Sequence, residues 1–322
     1  MRRALTALLA TAFVATACTA GTPTPAPYTP APTTTIETAV TTTTSMETTT
    51  TVAAAGDFPV TVAGDTGNVT IDDRPERIVS LSSAATEILF DIGAGSQVVV
   101  ADSFSDYPPE APFDPALSAF EPNVEALVDE YDPDLVVMFF DPGEVEASFE
   151  ALGVPVIVQY SPVDIAGIYP QMETLGVATG NDATADEAIA RMQDRIDVAV
   201  TEAGEIGQDV TYYHEIGEDL YSVTSETFVG DVYGQFGMVS IADPADEDGS
   251  AFGYPQLSAE FILDADPDLI FLADTVYAGQ SAETLAERPG WDVLTAIPDD
   301  VVELDDDVAS LAGPRVAEFV EV

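Results

Sequence analysis

One apolar stripe between Asp182 and Glu205 constrains this chain more than any other feature. Ala185, Ile189, Met192, Ile196 and Val200 recur at spacings of four, three, four and four, the repeat of a single helix face. At 1.5 Å per residue the helix would extend about 36 Å, roughly twice the usual length. Gly204 and Gly207 end it. On both sides short β-branched runs alternate with helical patterns. Before it, strands are expected at 78–81, 97–101, 135–140 and 154–160, and helices at 84–92, 123–131 and 145–152. After it, strands are expected at 210–216, 221–224, 269–273 and 301–304, with helices at 228–236 and from Pro314 onward. Residues 58–71 alternate apolar and polar about a Gly-Asp-Thr-Gly-Asn turn and read as a hairpin. Strand–helix alternation implies mainly parallel sheets covered by helices. The fold class expected is α/β, with two α/β lobes bridged by one long helix.

An internal echo supports two similar lobes. Asn123–Val136 (NVEALVDEYDPDLV) resembles Ser258–Ile270 (SAEFILDADPDLI), and the pair flanks the long helix. Each reads as a capped helix, a Pro-Asp turn and a buried strand. The separation is too large for a solenoid repeat.

The first 56 residues are of another kind. Arg2 and Arg3 precede the apolar run Ala4–Ala17, which is too short to span a membrane. That is the pattern of a signal peptide, 1–17. Ala15–Cys18 (ATAC) resembles a bacterial lipobox, so Cys18, the only cysteine, is the expected lipidation residue and the attachment to the membrane. Residues 18–56 are Thr, Pro and Ala with few large apolar side chains, and are expected to be a disordered tether. The lobes then follow as 57–181 with the leading hairpin, a bridging helix at 182–205, and 206–322. With one lipidated cysteine, disulfides are unavailable.

Charge excludes some partners. The 322 residues hold 58 acidic and 8 basic side chains and no lysine, a formal charge of −50. Loss of Arg2 and Arg3 with the signal peptide would leave 58 acidic against 6 basic residues. Such a surface repels nucleic acid and anionic lipid heads. Adaptation to salt is the plain reading. No Asp-x-Asp-x-Asp-Gly loop supports calcium binding.

Arg74–Leu89 (RPERIVSLSSAATEIL), Ser105–Glu110 (SDYPPE), Asn123–Glu125 (NVE), Tyr254–Glu260 (YPQLSAE) and Gly313–Arg315 (GPR) occur in one order. Together they resemble the substrate-binding proteins of ABC importers for iron-siderophores, haem and cobalamin, the periplasmic-binding type 2, cobalamin-binding-protein-like family. The resemblance implies ligand capture in a cleft between lobes, and a rod that limits hinge motion. It also implies a permease and an ATPase as partners, engaged through one glutamate on each lobe, here Glu125 and Glu260. Glu125 precedes its proline by eight residues and Glu260 by seven, so the two helices differ by one residue. No cofactor or resident metal is implied; cobalt or iron would belong to the cargo. A monomer, extracytoplasmic and lipid-anchored, is expected.

Ligands in open α/β sheets bind beyond the carboxyl ends of the strands. Those loops supply Ser82, Ser83, Phe104, Tyr107, Phe140, Asp141 and Tyr160 from the first lobe. The second supplies His214, Glu215, Ser225, Phe228, Asp274, Tyr277, Ser310 and Leu311. About half are expected to line the cleft. Aromatics and hydroxyls with few charges suit a bulky, partly apolar ligand. His214 is the lone histidine and is read as a core residue in preference to a haem ligand. Leu311 stands where relatives often carry arginine. Few arginines disfavour an anionic siderophore and tilt the reading toward a cobalamin-type corrinoid or a neutral metal chelate. No catalytic pattern is present: there is no Gly-x-Ser-x-Gly elbow, no zinc set and no phosphate-binding Gly-x-Gly-x-x-Gly. The alternatives are a haem-binding receptor of the same fold, or a surface adhesion or scaffold protein on a stalk.

Overall fold

A computed structural model describes residues 58–204 and 210–322. The expected signal peptide, the tether with Cys18, and Glu205 at the expected end of the rod lie outside the described residues.

The first lobe opens with an antiparallel hairpin of β1 (Val60–Ala63) and β2 (Asn68–Ile71), in register from Val60↔Ile71 to Ala63↔Asn68. A parallel sheet follows, of β3 (Ile78–Leu81), β4 (Val98–Ala101), β5 (Leu135–Met138) and β6 (Val156–Val158), in the order β4-β3-β5-β6. Its helices are α1 (Ser83–Asp91), α2 (Val124–Tyr131), α3 (Val145–Ala151) and α4 (Ile168–Thr179). Every residue of β3, β5 and β6 is buried. That is why these strands read as continuous β-branched and apolar runs and not as alternations.

The rod is α5 (Asp182–Ala203), with Ala185, Ala188, Ile189, Met192 and Ile196 buried along one stripe. Arg74 secures its start, donating from Nε to the Thr179 carbonyl (2.9 Å) and from its guanidinium to Asn181 Oδ1 (3.2 Å). Gly204, at φ +70°, ends it, a conformation that costs glycine little.

The second lobe contains β7 (Thr211–Glu215), α6 (Phe228–Gly234), β8 (Val239–Ser240), α7 (Ala259–Ala265), β9 (Leu269–Leu272), α8 (Ala282–Ala286), β10 (Val301–Glu303) and α9 (Val316–Val320). Its parallel sheet runs β8-β7-β9-β10. Strand for strand this repeats the first sheet. The echo in the sequence is the same structural unit twice. Helices α2 and α7 are capped by Asn123 and Ser258, and each ends on an aspartate at φ 45°, Asp132 and Asp266. The next turn clips the neighbouring strand in both lobes: Asp134 accepts from the backbone N–H of Glu76 and Arg77, and Asp268 from the N–H and hydroxyl of Thr211.

One apolar cluster joins the lobes. It runs from Val60, Ile88 and Leu175 through the rod residues Met192 and Ile196 to Val232, Tyr233, Phe271 and Phe319. Two smaller clusters cover the outer faces of the two sheets. The rod is therefore welded into both lobes, and sliding one lobe would expose its stripe to water.

Several elements differ from expectation: the short β8 and α8 carry no expected pattern, and two others differ for physical reasons. Residues 221–224 form no strand of the sheet; a single bridge joins Tyr221 to Gln256, and Ser222 and Thr224 donate to the carbonyls of Pro255 and Gly253. Helix α4 was not foreseen, because Pro170 and Gly176 interrupt its pattern. Pro170 is tolerated in the first turn. A Cβ on Gly176 would come within 2.5 Å of the Ala185 Cβ, so glycine here is what lets α4 lie against the rod.

Candidate functional site

The cleft lies between the lobes, as two adjoining cavities of about 360 and 300 Å³ that share Ser83, Phe139, Ser310 and Leu311. The first lobe offers the carboxyl ends of three strands: Ser82 after β3, Phe139 after β5 and Gln159 after β6. The second lobe offers the start of α6, the 252–254 loop and the 310–312 loop.

The local structure that holds these groups follows from short-range hydrogen bonds. Ser82 caps α1, its Oγ accepting from the Ala85 N–H (3.2 Å), while Thr86 donates to Ser80 Oγ and to the Ser82 carbonyl. Phe104 (64% exposed) packs edge-on against Phe120 (centroids 6.1 Å), and Phe120 contacts Phe139 and Phe140. Tyr277 (76% exposed) faces them from the second lobe and donates to Asp307 at 3.2 Å; its loop is held by Asp306, which accepts from the N–H of Val276 and Tyr277. Phe252 is 87% exposed at φ +53°, a strained backbone for a bulky residue. Asp246 keeps it there by accepting from the N–H of Ala251 and Gly253, each at 2.7 Å. Burial pushes the carboxyls of Asp102 and Asp307 up from the usual range, against hydrogen bonds from Ser105 and Tyr277 respectively.

Of the residues expected from the strand-end loops, Ser82, Ser83, Phe104, Phe228, Tyr277, Ser310 and Leu311 line these cavities. The others sit elsewhere. Tyr107 lies beneath the Arg315 guanidinium (4.1 Å), in a groove beside the rod. Phe140 stacks behind Phe139 (4.4 Å). Asp141 accepts from the N–H of Gly143 and Val145 at the start of α3. The Tyr160 backbone is tied to Asp65 and Gln171. His214 is buried in the second lobe with Nδ1 2.8 Å from the Tyr233 hydroxyl, and burial lowers its pKa to about 3, so it is a neutral ring outside the cleft. Glu215 is held by both terminal nitrogens of Arg288 (2.7 and 2.6 Å). Ser225 donates to Asp243. Asp274 is buried beside Glu215.

For His214, Glu215 and Asp274 the reason is an asymmetry between lobes. The first lobe opens its strand ends to the cleft. The second covers the ends of β7 and β9 with Arg288 and the 274–280 loop. Phe120, Phe139, Gln159, Phe252 and Tyr254 were missed. Phe139 and Gln159 could have been found, since each falls at the end of an expected strand.

Glu125 and Glu260 are both exposed, and each is the second residue of its helix. The extra residue of α2 falls at its far end, so the two positions correspond. A cross-lobe ion pair lines the groove beside the rod: Arg315 donates from Nε and a terminal nitrogen to Glu87 Oε1 (2.9 and 2.6 Å). A larger cavity, about 700 Å³, lies elsewhere, between the end of the rod, the second sheet and α9, and is mainly apolar. The cleft is the better candidate because polar groups from both lobes converge there.

Known proteins share this architecture and part of the sequence. The chain is 31% identical to a cobalamin-binding protein of Halobacterium salinarum, over 82% of this chain and 73% of the relative. It is 27% identical to an uncharacterized ABC transporter substrate-binding lipoprotein of Bacillus subtilis, over 82% and 84%. Among solved structures, the apo periplasmic heme-binding protein of Roseiflexus sp. RS-1 matches with a TM-score of 0.64 at 25% identity, covering 77% of this chain and 95% of that one. The periplasmic vitamin B12 binding protein of Vibrio cholerae matches with a TM-score of 0.59 at 25% identity, covering 76% and 94%. Since residues 78–308, from β3 to the loop before α9, also match the family model described as periplasmic binding protein, the chain belongs to that family.

Proposed function

We propose that this chain is the extracytoplasmic substrate-binding lipoprotein of an ABC importer. It captures a metal chelate, a cobalamin-type corrinoid or a ferric siderophore, and delivers it to a membrane permease. The observation that carries this reading is the cleft itself: two rigid lobes on one rod, with aromatic side chains from both sides facing a shared space. The relatives named for cobalamin binding and for ABC substrate binding support it. Exposed Phe104, Phe120 and Phe252 offer flat apolar faces that a bulky chelate would cover. Haem coordination through His214 finds no support, since that ring is sealed in the core. Glu125 and Glu260 are the proposed contacts to the permease, and Cys18 the proposed anchor.

A thermal-shift panel tests the reading. Cobalamin, cobinamide, haem and several ferric siderophores are added to the mature chain. One of them at 100 times its Kd should stabilise the fold by about 2.7 kcal/mol, a readable rise in Tm. A panel with no shift at saturating concentrations would leave the surface adhesion reading in possession.

A further inference from the structure

The polar wall of the cleft is one-sided in its chemistry. Gln159 follows β6 and is 8% exposed. Its amide nitrogen donates to the carbonyl of Gln171 (3.2 Å), and Gln171 in turn donates to the carbonyl of Tyr160 (2.6 Å). This relay fixes which end of the Gln159 amide is engaged. Its Oε1 is left buried with no hydrogen-bond partner in the protein, in a side chain that lines the cleft. A buried acceptor in that state carries the full cost of its lost water unless something donates to it.

The adjoining half of the cleft adds carboxylates among its hydroxyls and aromatic rings. Asp102, Asp106 and Asp307 line it together with Tyr277. Among the described residues no arginine, lysine or histidine lines either cavity. The nearby cations are already engaged: Arg315 with Glu87 and the Tyr107 ring, Arg288 with Glu215. A carboxylate brought into this cleft would lose water, meet three aspartates and find no cation. A primary amide or a positively charged group would meet these carboxylates and the unpaired Gln159 Oε1.

We propose that the cleft selects a chelate whose periphery donates hydrogen bonds, through amides or a positive charge, and excludes one that carries carboxylates, with Gln159 as the specificity-determining acceptor. This rests on the reading of the cleft as a metal-chelate site. It adds the chemical class of the cargo's rim. The discrimination is built from repulsion as much as from attraction, the usual route to rejecting a near-isostere.

The test compares one macrocycle with two rims. Dicyanocobinamide, rimmed by amides, and dicyanocobyrinic acid, in which those amides are carboxylates, are titrated into the mature chain by calorimetry at fixed salt, with haemin as a second carboxylate-bearing chelate. The amide-rimmed probe should bind at least about 100-fold more tightly than either carboxylate-bearing one. Gln159→Leu should lose about 10-fold or more on the amide-rimmed probe while the gap to the carboxylate-bearing probes narrows. Asp106→Asn with Asp307→Asn should strengthen binding of dicyanocobyrinic acid. Equal affinities, or tighter binding of a carboxylate-bearing probe, overturn the selection and leave the receptor reading standing. Failure of every chelate in the titrations and the thermal-shift panel overturns both. The wild-type comparison needs no variant, so a poorly folding Gln159→Leu does not shield the proposal.

Discussion

Asp274 is 3% exposed and neither of its carboxylate oxygens has a hydrogen-bond partner. It sits beside Glu215, which is fully buried and already takes both terminal nitrogens of Arg288. One guanidinium thus faces two buried carboxylates, with Asp306 adding a third charge. Burial, then the Glu215 charge, push the Asp274 carboxyl up to about 7, and Arg288 only partly opposes this. The unfolded chain releases the same proton near 3.8. Between about pH 4 and 7 the folded chain holds a proton that the unfolded chain has lost, so stability falls as pH rises through that window, and above it the whole penalty is present. Asn at this position can donate to Glu215 without a charge. Asp274→Asn should therefore raise Tm at pH 8 by roughly 3 °C, leave it unchanged near pH 4, and flatten the slope between. Melting curves across that range decide it; an unchanged slope would place the titrating group elsewhere.

Helices α2 and α7 show what an element adds to a residue. Glu125 and Glu260 are second in their helices, each behind a side-chain cap, in units of the same build on opposite sides of the rod. At that position a carboxylate gains only about 0.3–1 kcal/mol from the helix dipole. Glu125→Gln with Glu260→Gln should leave Tm and chelate affinity nearly unchanged while cutting permease-dependent uptake about 10-fold or more. Uptake in cells beside titration of the purified variant separates the two effects; lost affinity would move both residues into the binding site. The same units explain how far the sequence could be read. Long periodicities survive translation into structure, so the rod and the doubly buried strands β3, β5 and β6 were legible, as was the repeated helix, Pro-Asp turn and strand. Helix α4 was not, because Gly176 serves a helix–helix contact that no local pattern records. The first lobe's part of the cleft was half legible, since strand ends do face it. The second lobe's part was half legible too: Phe228, Tyr277, Ser310 and Leu311 line it, but whether Arg288 and the 274–280 loop cover a strand end is decided by packing between distant residues. Phe120 and Phe252 sit on irregular loops, where neither period nor strand end points to them.

At the scale of the molecule, a charge of −50 is set against four ion pairs among the described residues. Two of those, Arg191–Asp91 and Arg195–Glu321, lie on the surface and contribute little. The long-range balance is therefore repulsive, and compaction brings the charges closer together. Salt acts on this balance in one direction, because there are few surface attractions for it to weaken. The Debye length falls from about 10 Å at 0.1 M to about 3 Å at 1 M, so most of the repulsion is screened by the upper value. Raising KCl from 0.1 to 2 M should lift Tm by roughly 10 °C, with most of the rise below about 1 M. A gain that instead grew steadily with concentration, and more so in sulfate, would signal salt exclusion from the surface and not screening. The transition should stay single at every salt concentration. The cluster running from the hairpin through Met192 and Ile196 to Phe319 has no break at the lobe boundary, so opening one lobe strips apolar surface from the other. Two separate heat-absorption peaks would show that the rod joins the lobes without coupling them, and would remove the physical basis for a cleft of fixed width.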